Sequence, residues 1–150
     1  MENNKGTGVV VTVSLLFALA GCDTGGSAEH REIASHETAA IMDVAAINKA
    51  QAGYYSRASK YATSLSELCG PGKGPGEPFM APGISRRVCT GETHGYVFTV
   101  ASSSPADSYT INAKPKTPGS SGRRFFYSDQ SMVIRQSENE PATASSAEVK

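Results

Sequence analysis

With 150 residues, 39% of them hydrophobic and 19% charged, the chain is long enough for one small globular core with loose ends and too short for two. Fourteen lysines and arginines offset fourteen aspartates and glutamates, so no net field draws the molecule to nucleic acid or to an anionic bilayer surface. Nucleic acid is therefore not an expected partner.

The first apolar run, Val9 to Ala20, is about a dozen residues, short of the roughly 20 that a helix needs to cross the hydrocarbon core. It reads as the apolar region of a signal peptide, with Lys5 and the amino terminus as its positive start and Glu2 diluting it. The run closes in Leu19-Ala20-Gly21-Cys22, a string that resembles the lipobox of bacterial lipoproteins. The resemblance implies cleavage after Gly21, thioether lipidation of Cys22 and acylation of the new amino terminus. Residues 1–21 would be the signal peptide, and 22–32, opening Asp23-Thr24-Gly25-Gly26-Ser27 beyond the cysteine, a flexible tether. Each buried CH₂ contributes about 0.8 kcal/mol, so two or more acyl chains would hold the protein to a bilayer durably. The competing readings are a plain signal peptide with an accidental cysteine, or a cytosolic protein with an apolar start.

From Ile33 to Tyr61 the apolar positions Ile33, Ala40, Val44, Ile47, Tyr54, Ala58 and Tyr61 recur at spacings of three, four or seven, which predicts one long amphipathic helix. Ser64-Leu65-Ser66-Glu67 has the form of a capping box and predicts a short helical turn ending near Cys69. The Gly-Pro-rich run from Gly70 to Gly83 supports neither helix nor central strand and predicts an irregular loop. With Cys22 assigned to lipid, Cys69 and Cys89 remain as an even pair in an oxidising compartment, and a disulfide between them is expected. The alternative, a metal site with His94 as third ligand, lacks a fourth ligand and any C-x₂-C pair, so no metal is assigned.

After His94 the period changes to two. Tyr96–Ala101, Ser108–Lys114, Arg124–Tyr127 and Met132–Gln136 read as about four strands of an antiparallel meander, separated by Ser-, Pro- and Gly-rich turns. Tyr109, Ile111 and Ala113 alternate with polar neighbours and give that strand one apolar face for the helix to cover. The expected fold is α+β, a long helix on a short meander over 33–137, with 138–150 too polar and small to order itself.

Ala45 to Tyr55, Tyr61 to Leu68, Gly95-Tyr96-Val97-Phe98-Thr99, Tyr109 to Pro115 and Gly122 to Gln130 follow one another in an order that resembles the globular half of bacterial type IV pilins and type II secretion pseudopilins. That resemblance covers about Ile41 to Thr143 and implies a pilin-like domain. Pilins begin with a peptidase site, a glycine followed by Phe-Thr-Leu-Ile-Glu, and a long apolar half-helix. Here Gly8 is followed by Val9-Val10-Val11 and the lipobox stands where the half-helix would start, so lipid has replaced the spanning anchor and membership of a filament core is not implied.

The histidines His30, His36 and His94 fall in the tether, the early helix and a loop, with no nucleophile elbow beside them, so no catalytic residue is assigned. Lys73 lacks the following Ser or Thr and the strand–helix setting of a phosphate loop. Arg86, Arg87, Arg123 and Arg124 form a candidate partner surface if the fold gathers them, and Asp129 reads as a hairpin turn residue rather than a calcium ligand. The resulting expectation is an exported, non-enzymatic lipoprotein facing the periplasm or cell surface, without cofactor or small-molecule substrate. Its partners would be the bilayer, through Cys22, and pilus, secretion or other envelope proteins. The second expectation is a ligand-binding or adhesive lipoprotein that shares only the fold. Asp23, after the lipidated cysteine, fits the inner-membrane retention signal of enteric bacteria.

Overall fold

The computed structural model describes residues 25–70 and 87–150. The expectations for residues 1–21, Cys22, Lys73, Arg86 and most of the Gly-Pro loop fall outside the described residues.

Helix α1 (Gly25–Ala58) runs for 34 residues, about 50 Å at 1.5 Å per residue. It begins eight residues before Ile33, so from Gly25 onward the tether expected at 22–32 is helical. The stretch Ala28-Glu29-His30-Arg31-Glu32 holds strong helix formers, and Ile33, 6% exposed, anchors the turn they lead into. The helix stops three residues short of Tyr61. Ser59 adopts a left-handed φ of 53° and its amide closes on the Tyr55 carbonyl at 2.8 Å. Tyr61 leaves the helix to pack between Tyr55 and Tyr109, with ring centroids at 4.6 and 4.7 Å.

The short helix α2 (Leu65–Cys69) is capped by Ser64, whose hydroxyl accepts the Glu67 amide at 3.4 Å. The Glu67 carboxylate returns to the Thr63 amide at 2.8 Å, one residue earlier than in a strict capping box. Leu68 is fully buried, and Cys69 is joined to Cys89 by a disulfide with Cα atoms 5.8 Å apart.

The sheet, among the described residues, has six strands rather than about four, all antiparallel and in chain order: β1 (Glu92–Thr93), β2 (Tyr96–Ser102), β3 (Tyr109–Pro115), β4 (Arg124–Asp129), β5 (Arg135–Glu138) and β6 (Ala147–Glu148). The two added strands are two residues each, too short to show a period. The segment 138–150, expected to be loose, is folded against the sheet: Ala142 is 4% exposed, the Val149 amide donates to the Ile134 carbonyl at 2.9 Å, and Glu148 pairs with Arg135 at 3.5 Å. The turn after β4 is built as read. Asp129 Oδ1 accepts the Ser131 amide at 2.9 Å.

The core lies between one face of α1 and one face of the sheet. Ala40, Val44, Ile47 and Ala50 meet Tyr96, Phe98, Tyr109, Ile111, Ala113 and Phe126. Polar groups are set inside this apolar layer. Asn48, 4% exposed, accepts the Tyr109 hydroxyl at 2.9 Å and donates to Ser128 Oγ at 2.8 Å, and Ser128 donates onward to the Val133 carbonyl. Burial pushes the Tyr109 phenol far up, so it stays a donor at any physiological pH. Gln51, fully buried, binds both the amide and the carbonyl of Ala62 at 2.9 and 3.0 Å, fixing the chain after the helix.

Asn48→Leu removes the acceptor of the Tyr109 hydroxyl and the donor to Ser128 Oγ in the core and is expected to cost about 2–4 kcal/mol in urea unfolding. Met42→Ala, at a side chain 67% exposed on the opposite helix face, is expected to change stability by no more than about 0.5 kcal/mol. Equal losses for the two variants would show that the buried network contributes nothing.

Candidate functional site

Glu37 stands on the stripe of α1 that faces the sheet, between Ile33 and Ala40, and is 6% exposed. Its Oε1 accepts the amides of Arg123 and Arg124 at 2.8 and 3.1 Å, and its Oε2 accepts Arg124 Nε at 2.7 Å. Burial alone would raise the Glu37 carboxyl, but these donors outweigh it and hold the group below its ordinary value of 4.5. Arg124 also donates to Gln136 Oε1 at 2.7 Å and lies over the Phe126 ring at 5.5 Å.

This ion pair forms the floor of a cleft of about 220 Å³ between α1 and the ends of β4 and β5, walled by His30, Ile33, Ala34, Arg123 and Glu138. Arg123 Nη2 lies 3.4 Å from His30 Nε2. Among the described residues, the Arg123 guanidinium has no carboxylate and Glu138 no cation within ion-pair distance.

A second polar centre lies two turns further along the helix. Asp43, 2% exposed, has Arg87 at 3.6 Å from Oδ1 and His94 Nδ1 at 3.5 Å from Oδ2, and Oδ2 has no hydrogen-bond partner among the described residues. His94 and Gly95, with φ of 48° and 71°, form the two-residue turn between β1 and β2, and this left-handed pair brings the imidazole over the helix. Thr93 Oγ1 meets the same nitrogen of His94 at 3.0 Å. A nucleophilic triad needs hydroxyl and carboxylate on opposite ring nitrogens, so this grouping is an anchoring contact for the turn. His36 meets the backbone carbonyl of Ser121 at 3.2 Å.

The four arginines singled out in the sequence do not pool. Arg86 lies outside the described residues, Arg87 and Arg124 are engaged by separate carboxylates on α1, and Arg123 faces the cleft with His30. Glu37, Asp43 and Glu138 escaped the sequence reading, and His30, placed there in the tether, stands on α1; yet a charged residue at position 37, four after Ile33 and three before Ala40, interrupts an apolar stripe and so carries a visible signal. Among the described residues, no helix is long and apolar enough to cross a membrane, and no group of three or more His, Cys, Asp or Glu is placed to hold a metal ion. No protein-family model, no characterised protein and no solved structure matches the chain.

Because Glu37 is held below its ordinary value, its ionised form contributes stability above pH 4.5, and that contribution is lost as pH falls through the lowered value. The difference in unfolding free energy between the wild type and Glu37→Gln is therefore expected to be flat near neutrality, at about 2–4 kcal/mol, and to shrink in acid below pH 4.5. A difference that grows on acidification would contradict the assignment.

Proposed function

We propose that this chain is a non-enzymatic lipoprotein of the bacterial envelope, held to a membrane through acylated Cys22, whose pilin-like domain docks to or scaffolds a pilus, secretion or other envelope protein. The observation that carries the reading is the junction between two features. The lipobox-like Leu19-Ala20-Gly21-Cys22 ends only three residues before α1 begins at Gly25, and α1 is the helix that organises the whole domain. A lipid there would do for α1 what an apolar half-helix does for a pilin: fix its amino-terminal end at the bilayer. A long helix covering a sequential antiparallel meander supports the pilin-like reading at the level of architecture.

A second reading, a small ligand-binding or adhesive lipoprotein, draws on the cleft beside Arg123, whose unpaired charges a pure scaffold does not require.

Intact-mass measurement of membrane-extracted protein is expected to give a start at Cys22, added acyl mass, and the loss of two protons at Cys69 and Cys89. Cys22→Ser is expected to move the protein from the membrane fraction to the soluble fraction. Unchanged membrane association, or a native start at Met1, would defeat the anchor. Mild crosslinking followed by mass spectrometry separates the two readings: captured pilus or secretion components support docking, and their absence favours the ligand-binding alternative.

A further inference from the structure

The cleft above the Glu37–Arg124 pair holds a cation and an anion that do not meet. Arg123 and Glu138 both line it, and the Asn139 amide reaches the Arg123 carbonyl at 3.5 Å, so the two residues come from adjacent chain segments. Both side chains are exposed to the cleft, and each lacks an oppositely charged partner within 4.0 Å among the described residues. The pair beneath them is engaged elsewhere. Glu37 accepts from the Arg123 and Arg124 amides and from Arg124 Nε, Arg124 Nη1 donates to Gln136, and no Arg124–Glu138 ion pair forms. His30 Nε2 beside Arg123 adds a second ring-and-fork polar group on the same wall, and Ile33 and Ala34 supply an apolar side.

An anion alone would meet Glu138, and an ammonium alone would meet Arg123. A zwitterion with separated ends satisfies both. We infer that this cleft binds a phosphate–amine zwitterion of the phosphoethanolamine type, its phosphate on the Arg123 guanidinium and His30, its ammonium on the Glu138 carboxylate. The planar fork of Arg123 suits phosphate oxygens through paired, charge-assisted bonds.

The site lies near the beginning of α1. His30 is five residues into the helix, about 7.5 Å along its axis, and Gly25 is three residues from Cys22, at most about 11 Å of chain. On the anchored reading proposed above, the cleft can therefore reach the headgroup layer, where a lipid would present this chemistry. A soluble phosphate–amine ester presents the same groups.

The test uses the full chain in a non-ionic detergent, titrated calorimetrically with O-phosphoethanolamine, inorganic phosphate and ethanolamine in parallel. Saturable one-to-one binding of the zwitterion, at least about tenfold tighter than either fragment, is expected, with Arg123→Gln and Glu138→Gln each weakening it by roughly tenfold or more. Both side chains are exposed, and unchanged melting of the unliganded variants is the control for folding. No saturable binding, variants that bind like the wild type, or phosphate binding as tightly as the zwitterion overturns the inference. Reconstitution into phosphatidylglycerol vesicles with and without phosphatidylethanolamine identifies the source. Loss of affinity for the soluble probe in the vesicles that contain phosphatidylethanolamine supports a headgroup ligand, and its retention there supports a soluble one. Fractionation of Cys22→Ser reads the anchor independently, so failure of one reading leaves the other standing.

Discussion

The structure depends on α1 sitting in one register on its sheet. An apolar stripe alone is a weak guide, because sliding a helix by one turn, about 5.4 Å, exchanges one set of small aliphatic contacts for another. Buried polar groups remove that freedom. Glu37 is bound to the start of β4 and Asn48 to Ser128 near its end, and the spacings agree: eleven helical residues rise about 16 Å while four strand residues span about 13 Å. One turn of slippage would leave the Glu37 carboxylate, the Asn48 amide and the Tyr109 hydroxyl without partners, at about 1–3 kcal/mol for each neutral group and more for the charge. The same two contacts set β4 parallel to α1, and the antiparallel ladder then orients every other strand.

The segments outside the sheet hang from the same helix. Gln51 holds the chain at Ala62, Asp43 holds Arg87 and the His94 turn, and the disulfide joins α2 to the residues before β1. In a domain this small the apolar layer is thin, so specificity falls to groups whose partners are few and directional. Each is buried, and each serves a different segment. Their losses should accordingly be nearly additive where the residues share no partner.

Much of this was legible in the sequence, and what was missed has physical causes. The helix and the strands β2, β3 and β4 announced themselves because period 3.6 and period 2 record which residues a face buries, as in Tyr109, Ile111 and Ala113; the strand expected at Met132–Gln136 instead runs Arg135–Glu138, because Met132, with φ 61°, belongs to the turn. Two-residue strands such as Glu92–Thr93 and Ala147–Glu148 contain no period to read; they exist because Gly91 and Ile134 offer backbone carbonyls to the chain passing by. The terminal segment has the composition of a loose end, yet it needs only Ala142 in a gap beside Phe126 and the Arg135–Glu148 pair to settle. Gly25-Gly26-Ser27 reads as a linker by composition, and helix from Ile33 propagates back through it. The candidate site was half visible. Arg123 and Arg124 stood out as charges, but their separation into a bound and an unbound arginine depends on Glu37, which a count of apolar positions alone passes over.

The hydrogen bonds also give the domain two unlike ends. Toward the amino-terminal end of α1 lie His30, Arg123, Glu138 and the turn that precedes β4, all polar and charged. At the far end, Tyr61 donates its amide to the Ala106 carbonyl, and Tyr55, Tyr61 and Tyr109 form a continuous aromatic column, with Tyr55 44% exposed. If Cys22 carries lipid, a tether of at most about 11 Å keeps the charged end within reach of the bilayer, and the tyrosine end lies at the other end of a helix of about 50 Å. Amphipathic tyrosines are well suited to protein contacts, since each offers a large apolar face and a polar tip with few torsions to immobilise. On the anchored reading, the tethered end of this one helix would meet headgroup chemistry, and the far end would be where an envelope partner can reach.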